Sequence, residues 1–155
     1  MICLPAAPVE PAVVENMAYV WPLDQLAAFL RTHLPHTREC PDLHALIAWY
    51  ISKEAIGVVH HRGEILGLGL VRVVSSPGDA AVEYRWDERG QYIVLDQAVI
   101  RHRAALPALW DQCRARFGRR RAVVFTRAGR PERYRVYPYA SFQRRIQQES
   151  QSHGR

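Results

Sequence analysis

Apolar positions along the first third of the chain recur at helical spacing. Leu23, Leu26, Ala27, Leu30 and Leu34 fall on one face of a helix. Pro22 suits its first turn and Pro35 ends it. Leu43, Leu46, Ile47, Tyr50 and Ile51 repeat the pattern, with Pro41 and Asp42 at the entrance of a second helix. From Ala55 the period changes. Ala55 to His61, a turn at Arg62-Gly63-Glu64, and Ile65 to Val74 predict an antiparallel hairpin. Ser75 to Asp79 is a loop, and Ala80 to Trp86 is expected to form a further strand. Ala12 to Val20 is a candidate short strand at the start.

Tyr92 to Val99 predicts a strand, Leu106 to Phe117 an amphipathic helix, and Ala122 to Thr126 a second apolar strand. Strand, helix and strand in this order make a parallel crossover unit. Leu109, Trp110, Cys113 and Phe117 continue Leu106 along one helical face and are expected to be buried. Met1 to Pro11 is expected to be an extended arm, 12–146 a single domain, and 147–155 a flexible tail.

The hydrophobic fraction is 48% over 155 residues, enough for one domain with a core. No apolar run approaches the roughly 20 residues of a membrane span, and Met1-Ile2-Cys3-Leu4-Pro5 lacks the features of a secretory signal. Cys3, Cys40 and Cys113 are far apart and odd in number, which fits a reducing, cytoplasmic setting better than a disulfide framework. Charge is polarised. Residues 1–100 carry seven Lys/Arg against twelve Asp/Glu, whereas residues 101–155 carry fourteen arginines against three acids. A basic C-terminal third attracts phosphates, nucleic acid or an acidic partner.

The order of two helices, an antiparallel meander, strand–helix–strand and a terminal strand resembles the GCN5-related N-acetyltransferase (GNAT) superfamily. Gly57 to Gly69 is similar to that family's second and third strands. Leu95-Asp96-Gln97-Ala98-Val99-Ile100-Arg101-His102-Arg103 resembles its fourth strand running into the cofactor loop. The resemblance implies an α/β (α+β) fold: a mixed, mainly antiparallel sheet with helices on both faces and a parallel crossover. The Ala80–Trp86 strand is extra to that pattern.

The resemblance also implies N-acyl transfer from acyl-CoA or another acyl thioester to an amine, with Ile100, Arg101, Arg103, Ala104, Ala105 and Ala108 at the cofactor. The loop departs from the family's Arg/Gln-x-x-Gly-x-Gly/Ala. Here it reads Arg103-Ala104-Ala105-Leu106-Pro107-Ala108. Leu106 stands where glycine leaves room for a pyrophosphate, and Pro107 removes an N–H donor. Pro107 also suits an ordinary first helical turn. The RTX toxin-activating lysine acyltransferases are similar in layout and lack the glycine loop, but their Ser-x-x-His segment has no match here.

Acyl transfer to an amine needs a base, a polarised carbonyl and an acid for the departing thiolate. Asp96 is the candidate base, or the partner of a cationic substrate, or else the partner of a structural arginine. By alternation Tyr92, Val94, Asp96 and Ala98 share one face. Glu83 and Tyr84 are weaker candidates for the same role. Tyr134 and Tyr137 are candidate acids, or else core tyrosines with surface hydroxyls. Arg119, Arg120 and Arg121 follow a helix end, either as an exposed charge run or as part of a polyanion-binding surface. His60 and His61 point to opposite strand faces, so no metal is expected. The other reading of the chain is a non-catalytic GNAT-like binding or structural module, such as a phage, mobile-element or nucleic-acid-associated protein.

Overall fold

The computed structural model describes residues 13–14, 16–127 and 130–152; the expected arm at Met1 to Pro11 lies outside them. One sheet of six strands organises the domain. Its strands stand in chain order: β1 (Val13–Val14), β2 (Ile56–His61), β3 (Glu64–Val74), β4 (Tyr92–Ile100), β5 (Ala122–Arg127) and β6 (Arg130–Pro138). All neighbours are antiparallel except β4 and β5. Two helices precede the hairpin, α1 (Leu23–His33) and α2 (Leu43–Ser52). α3 (Ala105–Phe117) connects β4 to β5, and α4 (Tyr139–Gln151) closes the described chain.

Each helix follows its apolar stripe. Leu26, Ala27 and Leu30 bury α1, and Leu43, Ile47 and Tyr50 bury α2. Leu109, Trp110, Cys113 and Phe117 are all buried on α3, the face that periodicity selects. The β2–β3 hairpin turns on Arg62 and Gly63, with φ of 49° and 77°. Positive φ at both central residues is the two-residue turn whose twist suits flanking strands.

The crossover forms as the sequence predicts. β4 and β5 are parallel, but they pair only from Tyr92↔Ala122 to Leu95↔Phe125. Beyond that point β4 runs on beside β3 alone, and the sheet opens between Asp96 and Thr126. Opposite β3 the register skips a residue: Leu95 faces Val71 and Gln97 faces Leu70, so Asp96 is a bulge. The bulge turns Ala98 away from Asp96. Tyr92, Val94 and Asp96 stay on one face, whereas Ala98 lines the α3 side with Leu95.

Three further expectations need correction. Ala80–Trp86 is not a strand. Residues 77–81 form a 3-10 turn, and the following carbonyls bond to a side chain rather than to a ladder. Among the described residues of the Ala12–Val20 segment only Val13 and Val14 form a strand, after which Met17 and Trp21 drop into the core. The segment after β6 is a helix as far as Gln151, because Tyr139, Phe142 and Ile146 at helical spacing bury one side of it. Among the described residues no helix is long and apolar enough to cross a membrane.

Candidate functional site

A lone arginine interrupts the apolar run of β3. Arg72 is 4% exposed, and a buried guanidinium needs a partner for each of its N–H groups. Its Nε donates to Asp96 Oδ2 at 2.6 Å and its Nη2 to Asp96 Oδ1 at 2.8 Å. The remaining donors meet backbone carbonyls: Nη2 to Ala80 at 2.8 Å, and Nη1 to Val82 at 2.9 Å and Arg85 at 3.4 Å. Tyr50 of α2 donates to Asp96 Oδ2 at 2.5 Å. Burial opposes the charge on Arg72, but the bond to Asp96 and its charge outweigh it and hold the guanidinium above its ordinary value. Burial first, then the charge of Asp96 and the bond to it, push the Tyr50 hydroxyl far above its ordinary range, so it remains a donor. This cluster joins α2, β3, β4 and the 80–85 segment. Alternation along β4 puts Asp96 on the face of Val94 and Arg72, and the bulge at Asp96 reverses the faces only of the residues that follow it.

The cluster forms the floor of a cavity of about 360 Å³ where β4 and β5 part. Gln97, Thr126 and Arg127 line it from the opened strands, Trp49 from α2, and Glu83 and Tyr84 from the pinned segment. Tyr84 has φ of 59° and sets its ring edge-on to Trp49, 5.2 Å between centroids. A positive φ at an aromatic residue costs energy that the pinned segment sustains.

A second cavity, of about 50 Å³, lies on the opposite face. Leu95 and Ala98 of β4, Leu106, Leu109, Trp110 and Cys113 of α3, and Phe142 and Ile146 of α4 enclose it, and it is apolar. Gln97 lines both cavities. The opening between β4 and β5 is therefore flanked by a polar, aromatic space on one side and a narrow apolar one on the other.

The start of α3 has few free N–H groups. Ala104 N–H donates to His102 Nδ1 at 3.1 Å, and Ala105 N–H to the His102 carbonyl at 2.8 Å. Pro107 has no N–H, and Leu106 packs its side chain against the core. Ile100 is buried, and Arg101 is turned back to Glu64, 2.8 Å from Oε1. Of the residues expected at a cofactor, Ile100 and Ala105 are buried, Arg101 is half-exposed but bonded to Glu64, and Arg103, Ala104 and Ala108 keep exposed or half-exposed side chains near the helix start. A pyrophosphate needs free N–H groups here, and the engaged N–H groups of Ala104 and Ala105, with Pro107 lacking one, leave few of them.

The two candidate acids are separated by strand alternation. Tyr134 pairs with Thr126, which lines the larger cavity, and is 38% exposed. Tyr137 packs edge-on against Phe125 at 5.5 Å, on the side where Phe125 meets Phe142 of α4. The arginine run does not form one exposed patch. Arg120 is half-buried; its Nε donates to the Phe117 carbonyl at 2.8 Å and its Nη1 to the carbonyls of Glu88 at 2.9 Å and Gly90 at 2.6 Å. Arg116 Nη1 meets Glu88 at 2.6 Å and its Nη2 the Lys53 carbonyl at 2.9 Å. These side chains tie α3 to the 75–91 excursion and to the end of α2. Arg119 and Arg121 remain exposed. Among the described residues no three His, Cys, Asp or Glu side chains come together as a metal site.

The lining of the larger cavity includes Asp96, Glu83 and Tyr84, which sequence reasoning singles out, and Arg72, Tyr50, Trp49 and Gln97, which it misses. A charge inside Leu70-Val71-Arg72-Val73-Val74 is the available signal, since an apolar strand does not carry one unpaired.

No protein-family model matches the chain, and no curated protein matches it. Among solved structures it is similar to the GphF GNAT-like decarboxylase in complex with isobutyryl-CoA. The TM-score is 0.53 at 18% sequence identity, over 75% of this chain and 65% of that one. The chain thus spans a little under two thirds of that protein's length. The fold is GNAT-like: mixed, mainly antiparallel, and opened at its parallel strand pair.

Proposed function

We propose that this GNAT-like domain binds an acyl thioester in the opening between β4 and β5 and transfers the acyl group to an amine. The observation that supports this reading best is the pair of cavities meeting at Gln97. The acyl chain of a thioester is apolar and narrow, which suits the α3/α4 side. An amine acceptor is polar, which suits the α2 side. The similarity to a protein in complex with isobutyryl-CoA supports an acyl thioester as donor.

The arm is held without a pyrophosphate grip, since His102 already takes the first N–H groups of α3 and Pro107 lacks one. Asp96 serves as a positioning residue, because its oxygens accept from Arg72 and Tyr50. It fixes the bulge that aims Gln97 at the opening. The neutral amine attacks the thioester carbonyl carbon, the C–N bond forms, and the C–S bond breaks. The Gln97 amide is assigned to bond the carbonyl oxygen as charge develops there. Tyr134, beside Thr126 and partly exposed, is assigned to protonate the departing thiolate and to recover its proton from the nitrogen through solvent.

Thiol release from an acyl thioester, followed in the presence and absence of a pool of primary amines, tests this. Amine-dependent release that falls at least about tenfold in Gln97→Ala supports the assignment. Thioester binding with no amine-dependent release favours the second reading, a non-catalytic module. The same two features speak for that reading: an α3 start with few free N–H groups and a carboxylate already fully engaged.

A further inference from the structure

The larger cavity carries more information about its ligand than the general reading uses. Four charged side chains line it: Arg72, Asp96, Glu83 and Arg127. Arg72 and Asp96 neutralise each other through two bonds, and all the guanidinium N–H groups of Arg72 are committed. Neither can offer a full charge to a ligand. Among the described residues Glu83 and Arg127 form no ion pair, and they stand on separate walls, the pinned segment and the end of β5. The cavity therefore presents one unpaired anion and one unpaired cation.

Each of these charges has a neighbour that sharpens its chemistry. Glu83 precedes Tyr84, whose ring stands against Trp49 and whose φ is held at 59° to place it there. Two aromatic rings beside a carboxylate favour an ammonium ion. The Trp49 ring already draws the Lys53 ammonium to 5.9 Å from its centroid. Beside Arg127 is Thr126, a hydroxyl donor next to a guanidinium that can take a carboxylate on two N–H groups. Between them Leu46 and Leu70 supply apolar surface. About 360 Å³ lies in the range of pockets for small molecules.

From this we infer that the acceptor is a free amino acid with an apolar side chain. Its ammonium is held by Glu83, Trp49 and Tyr84 and gives one proton to solvent before the amine attacks, and its carboxylate is held by Arg127 and Thr126. The inference deepens the acyl-transfer reading and rests on it for the word acceptor; binding of the amino acid itself does not. The competing account is that Glu83 and Arg127 are solvated surface charges with no ligand, and it gives no selectivity for doubly charged ligands.

Calorimetric titration of the whole chain, with no thioester present, separates the two accounts. The probes are L-leucine, L-leucinamide and N-acetyl-L-leucine: both charges, the cation alone, and the anion alone. L-leucine is expected to bind roughly tenfold or more tightly than either of the others, the worth of one charge-assisted hydrogen bond. Glu83→Gln is expected to weaken L-leucine to the level of N-acetyl-L-leucine, and Arg127→Gln to the level of L-leucinamide. Both side chains are exposed, so circular dichroism should report an unchanged fold. Equal binding of all three probes, no binding of L-leucine, or variants that bind like the parent overturns the inference. L-leucine binding in a protein that takes no acyl thioester leaves this site standing and removes acyl transfer. Thioester binding without L-leucine binding does the reverse.

Discussion

Arg72 and Asp96 face each other across the β3–β4 ladder, joined by bonds of 2.6 and 2.8 Å. Neither residue is adjacent to its partner in the strand register; Arg72 pairs with Val94, and Asp96 is the bulged residue with no partner of its own. The pair therefore runs diagonally across the ladder, from the residue opposite Val94 to the bulged residue two positions on. Replacing Arg72 with Met should leave a carboxylate that is 12% exposed without its counter-charge, at a cost of roughly 3–5 kcal/mol. Arg72→Met with Asp96→Leu should recover part of that loss. Urea unfolding of the single and double variants checks both. A double variant as unstable as the single would place the cost in the lost carbonyl bonds instead.

The same guanidinium fixes the wall of the larger cavity, since it bonds the carbonyls of Ala80, Val82 and Arg85. Hydrogen exchange in Arg72→Lys should therefore rise across 79–86 while α3 and β5 stay protected. A lysine has three donors in place of five and no fork. Exchange that rises uniformly over the domain would contradict a local role.

On α3, Trp110 is 5% exposed and packs against Tyr139 and Phe142 at 5.3 and 4.8 Å between centroids. Trp110→Ala should cost roughly 3–5 kcal/mol by denaturant unfolding. Cys113 lies one turn further on, and burial pushes its thiol up to about 12. It should stay unreactive toward a thiol reagent at neutral pH until the protein is unfolded. Reaction of Cys113 in the native state would show that this face is not inward.

Glu88 gives a pH dependence with a definite sign. The bond from Arg116 chiefly lowers its carboxyl below the ordinary value, against a smaller opposing effect of burial. A group depressed on folding contributes stability that is full above its unfolded value and is lost as pH falls through the folded one. Stability of the parent should thus fall more steeply than that of Glu88→Gln on acidification below the ordinary carboxylate range. Parallel curves in thermal melts would remove Glu88 from the tether.

Much of this architecture is written in local patterns. The stripes of α1, α2 and α3, the turn at Arg62-Gly63, and the change of period through β4, α3 and β5 each depend on neighbours in sequence, and they are legible. The site depends on distant partners. Val82-Glu83-Tyr84-Arg85 has no ladder because its carbonyls are taken by an arginine ten or so positions away. The face of Ala98 is reversed by a bulge that no propensity announces. Arg120 belongs to a run that composition marks as solvated, yet the carbonyls of Glu88 and Gly90 fall within its reach. α4 carries its stripe in plain view, but only three apolar residues in a polar segment distinguish it from a tail.

The start of α3, with few free N–H groups, carries the central claim, that the opening takes the acyl arm of a thioester and not the pyrophosphate of a nucleotide. Calorimetric titration of acetyl-CoA and of S-acetyl-pantetheine, which lacks the pyrophosphate and adenosine, compares the two directly. Affinities within about threefold of one another are predicted, because His102 and Pro107 leave few N–H groups to hold the missing part. Acetyl-CoA binding more than about a hundredfold tighter, or neither compound binding at all, would contradict the account.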